Sequence, residues 1–291
     1  MTARYVCAVV VTYLPNAGVI EYLSKFHAEV QGLVVVDNGS NAKELNLLRR
    51  SSQTQGFHLI ENERNLGIAE ALNQGVRWAQ SEKFPWVVLF DQDSKITEGF
   101  IAEMFAAWER HPHPERVGSV HPRYVDPESG IESAVRRAGD SGPVTSMTSG
   151  ALMPMWIFDK IGWFEADYFI DWVDFEYSFR IRAAGYSIAE SKGAVLLHTA
   201  GSPRKTSFLG FSLRPSHHSA TRQYYISRNR IVVFRKYFPT FPGWVTQSIF
   251  ASFRETIKSV LVEGDRGHKF RNFLLGTWDG LTGRMGKREG L

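Results

Sequence analysis

The chain has 291 residues, 43% apolar and 22% charged, a balance that supports a buried core and excludes intrinsic disorder. Its one cysteine, Cys7, excludes an internal disulfide. No apolar run nears the ~20 residues that span a bilayer, and the stretch behind Met1 is too short for a signal peptide, so a reducing, cytoplasmic setting is expected. The formal charge of +4 is uneven, with a net of −7 over residues 1–203 and +11 over 204–291.

Val6–Val11 is a continuous apolar run rich in β-branched residues, as expected of a strand buried on both faces. A turn at Leu14-Pro15-Asn16 leads to a helical pattern through Ile20, Leu23 and Phe26. Leu33–Val36 predicts a second strand, Leu45, Leu47 and Leu48 a helix, and Phe57–Ile60 a third strand. Ile68–Ala79 predicts a helix and Trp86–Phe90 a fourth buried strand, with another helix at about 97–110. Short buried strands alternating with helices predict an α/β fold, a mostly parallel, Rossmann-like sheet with helices on both faces.

The middle of the chain reads as mixed strands and one clear helix, Val173–Ala184, stopped by Gly185. A polar stretch from Thr199 to Ser219 is expected to be a mobile functional loop. Beyond it, helices are predicted near 220–237, 244–262 and 268–280, separated by Pro239, Pro242 and Gly264. The domain reading is therefore 1–203 as a binding and catalytic domain, and 204–291 as a loop with a helical, basic extension.

Ligands of such sheets bind beyond the carboxyl ends of the strands. The polar residues gather there: Thr12, Asp37, Asn62 to Asn65, and Asp91 with Asp93. The Gly-x-Gly-x-x-Gly fingerprint is missing after the first strand, where Thr12-Tyr13-Leu14-Pro15-Asn16 stands, and no Walker-type loop occurs. Classical nicotinamide, flavin and P-loop chemistries are therefore not expected.

Asp91-Gln92-Asp93 follows a hydrophobic strand, so one carboxylate can address a sugar hydroxyl and the other a hard cation. It can equally be an Asx turn or a helix cap. Asp37-Asn38-Gly39-Ser40 suits a turn as well as a ligand, and Asn65 before Gly67 suits an N-cap. Asp174 can serve as a general base, or it can complement the helix dipole with Glu176 behind Asp171 as N-cap. His198 closes the apolar run Ala194–Leu197, as a metal ligand or a structural residue. His217 and His218 read as loop residues.

Taken together, these segments resemble the GT-A glycosyltransferases of family 2, and their bacterial rhamnosyltransferase branch in particular. The matching stretches are Val9–Tyr13, Val35–Ser40, Asn65–Ala69 and Leu89–Ser94. Ser149–Ala151, Asp174–Glu176 with Arg180, Gly185-Tyr186, His198 and Arg228–Arg230 follow in family order. The resemblance implies a nucleotide-sugar site in which Thr12, Tyr13, Asp37, Asn38, Asn65 and Gly67 meet the base and its neighbours. Asp91 would reach the nucleotide's sugar, and Asp93 with His198 would hold Mg2+ or Mn2+. Asp174 would be the base of an inverting displacement, standing in Val173-Asp174-Phe175-Glu176 where the family carries Glu-Asp-x-Asp. Arg204 and Arg228 would complete donor binding, with Arg204 and Lys205 closing over the diphosphate.

The implied donor is dTDP-β-L-rhamnose and the implied acceptor a hydroxyl of a lipopolysaccharide or other surface glycan, free or lipid-linked. Another UDP- or dTDP-sugar is the alternative donor, and a non-catalytic lipid- or nucleic-acid-binding protein is the alternative class, although nucleic acid is not the expected partner. In the basic extension, Trp244, Ile249, Phe253, Ile257 and Val260 lie near helical spacing. They suit either core packing or a helix on an anionic membrane surface, which would make the protein peripheral to the cytoplasmic membrane.

Overall fold

The computed structural model describes residues 5–132, 145–198, 206–208, 211–213, 219–262 and 265–291, with backbone alone at 206–208, 211–213, 253 and 255–262. Arg204, Lys205, His217 and His218 lie outside the described residues. The chain divides into two compact units. One is Met1–Ala166 with Val173–Thr199, and the other is Asp167–Trp172 with Ala200–Leu291.

The first unit is built on an eight-stranded sheet. Strand β1 (Val6–Thr12) is buried at all seven positions, which is why its sequence shows no polar alternation. Helix α1 (Ala17–Glu29) starts at Asn16, whose side chain accepts from the Val19 amide, and buries Ile20, Leu23 and Phe26. Strand β2 (Gly32–Asp37), helix α2 (Ala42–Gln55), strand β3 (His58–Glu61), helix α3 (Ile68–Ser81) and strand β4 (Trp86–Asp91) continue the alternation. β1 pairs in parallel with β2 and β4, and β2 with β3. Gly75 lets α3 lie directly on β1, because a Cβ there would stand 2.3 Å from Val9 Cγ1.

Beyond β4 the sheet becomes mixed. The remaining elements are β5 (Lys95–Ile96), α4 (Phe100–Glu109), β6 (Val117–Val125), β7 (Leu152–Pro154), α5 (Trp156–Ile161), α6 (Val173–Ala183) and β8 (Ser187–Leu197). The strand order is β3-β2-β1-β4-β7-β6-β8-β5. β7 runs antiparallel to both β4 and β6, β5 is antiparallel to β8, and β6 and β8 are parallel. β5 and β7 are two and three residues long, too short for a periodicity to show in sequence. Asn73 of α3 donates to the Phe164 carbonyl at 2.8 Å and accepts the Phe164 amide at 3.0 Å, with its own side chain buried. Burial also pushes the Cys7 thiol up to about 12, so it behaves as a small core residue rather than a nucleophile.

The second unit has an antiparallel pair, β9 (Thr206–Phe208) with β10 (Phe211–Leu213), and helices α7 (Ala220–Tyr237), α8 (Pro242–Val262) and α9 (Arg266–Thr282). Pro242, expected to separate helices, instead opens α8, where its missing N–H costs no hydrogen bond. α7 and α9 approach closely because Gly276 and Gly280 leave room. A Cβ would lie 2.3 Å from the Tyr224 carbonyl oxygen at the first and 2.6 Å from that of Arg228 at the second. Between them Tyr224 donates to Asp279 at 2.6 Å, and Arg288 pairs with the same carboxylate. No helix among the described residues is long and apolar enough to cross a membrane.

Candidate active site

The strand ends of β1, β2 and β4 lie side by side, so the polar residues that follow them share one edge of the sheet. Asp37 is fully buried there. Its carboxylate accepts from Thr12 Oγ1 at 3.2 Å, Ser40 Oγ at 2.5 Å and the Ser40 amide at 2.9 Å. A carboxylate has about four lone-pair positions, so one acceptor position is left for a ligand donor. Gly39 makes this turn possible: its φ is +89°, and a Cβ would fall 2.4 Å from the Arg64 backbone.

Asn38 and Asn65 form the second part of the edge. Asn38 Nδ2 donates to Asn65 Oδ1 and to the Gly67 carbonyl, both at 3.2 Å, while Asn38 Oδ1 accepts the Leu66 amide at 3.0 Å. Asn65 Oδ1 also accepts the Gly67 amide at 2.9 Å. Asn38 is buried, and its amide ties the end of β2 to the loop opening α3. Gly67 stands at the N-cap position of that helix. Tyr13 is 45% exposed, and its backbone exchanges two hydrogen bonds with the Gln92 side chain, at 2.9 and 3.1 Å. That exchange clasps the end of β1 to the end of β4.

Asp91, Asp93 and His198 form a cluster whose ligand atoms all lie within 4.8 Å of one another. His198 Nδ1 is 3.6 Å from Asp93 Oδ1 and 3.3 Å from Ser94 Oγ. Ser94 in turn bonds Ser149 Oγ at 2.7 Å, which accepts the Asp91 amide at 3.1 Å. Two carboxylates and an imidazole, the imidazole held by the Ser94 hydroxyl, suit a hard divalent cation such as Mg2+ or Mn2+. The residues present therefore fit the expected metal, with Asp91 joining Asp93 and His198 in the donor set.

Asp174 is the second residue of α6 and is partly buried; one of its oxygens accepts the Phe175 amide at 2.9 Å. It lines a small pocket with Ser119, His121, Ser146, Tyr177 and Ser178. His121 bonds Ser119 Oγ at 2.9 Å and the Tyr124 hydroxyl at 3.4 Å. Burial pulls the His121 imidazole down from 6.5 to about 4. The Tyr124 hydroxyl donates to the Ser149 carbonyl at 3.0 Å and is pushed well above its ordinary value, by burial first and then by the charges of Asp174 and Asp91. Tyr124 is thus within electrostatic reach of both carboxylates. Glu176 has a different position: it is buried and holds the Arg180 guanidinium through both carboxylate oxygens.

Arg228, in the second unit, is fully buried. Its guanidinium donates to the Gly286, Asp167 and Tyr168 carbonyls and lies 4.9 Å from the centre of the Tyr225 ring. Its neighbour Asn229 donates to the Tyr168, Ile170 and Asp171 carbonyls at 2.8–3.0 Å. Asp171 bonds Arg222 at 2.8 Å rather than capping α6. This anchoring holds Phe169, Asp171 and Trp172 at φ values of 64°, 64° and 68°, a left-handed run that free residues avoid.

Several of these contacts go beyond the sequence reading. Ser40 and Ser94 each stand three residues after an aspartate that ends a strand, an Asx-turn signature legible in the chain. Gln92 and Ser149 lay inside segments already singled out, without a role. Tyr124 and His121 carried no local signal, because only the pairing of β6 with β8 brings them to the site.

The mixed sheet flanked by helices is similar in fold to GT-A glycosyltransferases. A mannosyltransferase from Pyrobaculum calidifontis, solved with GDP-Man and Mn2+, superposes with a TM-score of 0.61 at 16% identity over 96% of this chain and 87% of that one. TarS 1–349 of S. aureus, solved with UDP-GlcNAc, gives 0.54 at 12% identity over 96% and 73%. Residues 19–130 match the model of Glycosyl transferase family 2, and together with a full-length relative this makes the chain a glycosyltransferase. Along its length it is 24% identical to the dTDP-rhamnosyl transferase RfbF of Shigella flexneri, over 96% of each chain.

Proposed function

We propose that the chain transfers L-rhamnose from dTDP-β-L-rhamnose, with inversion, to a hydroxyl of a surface-glycan acceptor. The observation that carries this reading is the Asp91, Asp93 and His198 cluster on the same strand edge as the buried Asp37 turn. The full-length similarity to a dTDP-rhamnosyl transferase supports the choice of donor.

In this reading Asp37 uses its remaining acceptor position for an N–H of the pyrimidine, while Thr12 and Ser40 fix the carboxylate's orientation. Asn38, Asn65 and Gly67 shape the loop around the base, and Tyr13 offers an exposed ring beside it. Asp91, Asp93 and His198 would hold Mg2+ or Mn2+, which supplies Lewis-acid neutralisation of the diphosphate. Asp174 takes the proton from the acceptor hydroxyl as that hydroxyl's oxygen attacks the anomeric carbon, and the anomeric carbon's bond to the diphosphate oxygen breaks to release dTDP. His121, held neutral by burial, adds no positive charge to that pocket. Residues 1–203 form the catalytic domain and 204–291 the acceptor side, with Arg204 closing over the diphosphate. Arg228 serves donor binding indirectly, by holding the turn at 167–172.

Thermal stabilisation by dTDP and UDP, each with and without Mn2+, tests the proposal. A metal-dependent rise that favours dTDP and disappears in Asp93→Ala is expected. A preference for UDP would overturn the donor, and no shift with either nucleotide would overturn the site.

A further inference from the structure

Helix α9 has two opposed faces. Lys269, Asn272, Gly276, Asp279 and Gly280 are buried, whereas Phe270, Leu274, Trp278 and Leu281 are 47%, 51%, 65% and 53% exposed. Spacings of four, four and three residues put the exposed four in one stripe about 80° wide, opposite the buried set. The stripe runs about 16 Å along the helix. A row of four large apolar side chains facing water marks an interaction surface rather than scattered exposure.

The charges around the stripe select its occupant. Arg266 and Arg271 are exposed on α9, and Arg284 is exposed just beyond its end. The one acid within the helix, Asp279, is buried and paired with Arg288, and the exposed N-cap acid Asp265 is bonded to His268, so the stripe between them is apolar and flanked mainly by cations. A second copy laid on the same stripe about a twofold axis would set these arginines against their own equivalents. An anionic lipid surface satisfies both features, since aromatic and leucine side chains enter the headgroup boundary while arginines meet phosphate. The net charge of +11 over residues 204–291 adds long-range attraction of the same sign.

We propose that α9 seats the chain on an anionic bilayer, with Phe270, Leu274, Trp278 and Leu281 entering the interface and Arg266, Arg271 and Arg284 contacting lipid phosphates. This assigns membrane contact to α9; in the Trp244–Val260 pattern of α8, Ile249 is also exposed. Within α8, Trp244 packs edge-on against Trp172 and Phe234, whereas the Phe253, Ile257 and Val260 side chains lie outside the described residues.

Co-sedimentation of the full chain with phosphatidylcholine vesicles, with and without phosphatidylglycerol, tests the assignment. Binding is expected only with the anionic lipid. It should fall at least about tenfold both in Phe270→Ser/Leu274→Ser/Trp278→Ser and in Arg271→Glu/Arg284→Glu. All five positions changed are exposed, so both variants should melt with the parent. Equal binding to the two vesicles would overturn the proposal, as would a triple variant that binds unchanged. Concentration-dependent dimerisation removed by the triple variant, without vesicle binding, would reassign the stripe to a second copy. The triple variant should keep its nucleotide-induced stabilisation, so this proposal and the donor reading fail separately.

Discussion

Asp174 shows how much chemistry depends on a single carboxylate. It sits at the positive end of α6, accepts the next amide, and faces a pocket lined by serines and a neutral histidine. Asp174→Asn keeps the shape and removes the proton acceptor. Transfer is expected to fall by about 100-fold or more, while stabilisation by dTDP with Mn2+ is retained. Loss of nucleotide binding in the same variant would show that Asp174 serves the donor instead. His121 carries a prediction of its own. Between pH 6.5 and about 4 the unfolded chain binds a proton that the buried imidazole refuses. Its contribution to stability is therefore complete above 6.5 and is lost as pH falls toward 4. Melting temperature should decline less steeply across that window in His121→Asn than in the parent; equal slopes would exclude His121 as a source of the decline.

At the scale of elements, the most constrained piece is the turn at 167–172. Three of its residues adopt left-handed backbone, and α7 holds it through Arg228 and Asn229. Asn229→Ala removes one donor group from one buried and two part-buried carbonyls, a loss of about 1–3 kcal/mol. A clear fall in denaturant midpoint is expected, and an unchanged midpoint would show that the turn is held by Arg228 and Arg222 alone. The sequence made the long elements legible, since β1, β2 and β4 declare themselves by unbroken apolar runs and α3 by its helical period. It did not show β5 and β7, whose few residues carry no period, nor the length of β8. β8 extends to eleven residues through register shifts against β6 that no local pattern encodes.

Across the whole molecule, what could be read in advance was the shared edge. Thr12, Asp37 and Asp91 end adjacent strands, so alternation of strand and helix was enough to gather them. The arrival of His198 beside Asp93 also followed from its place at the end of a strand. The pocket around Asp174 was not legible, because Ser119 and His121 reach it through pairings between distant strands. The true environment of Arg228 was hidden for a similar reason. A basic residue in a polar motif reads as a ligand contact, whereas here it is fully buried among carbonyls. Asn73 has a further consequence for the molecule. Its carboxamide gives and takes one hydrogen bond with the Phe164 peptide, doing for a loop what a neighbouring strand does for a sheet. One side chain thus acts as a single rung of ladder across 91 positions of chain. Such a rung closes only after the helix and the loop have each found their places, which makes it a lock set late in folding rather than a nucleus for it.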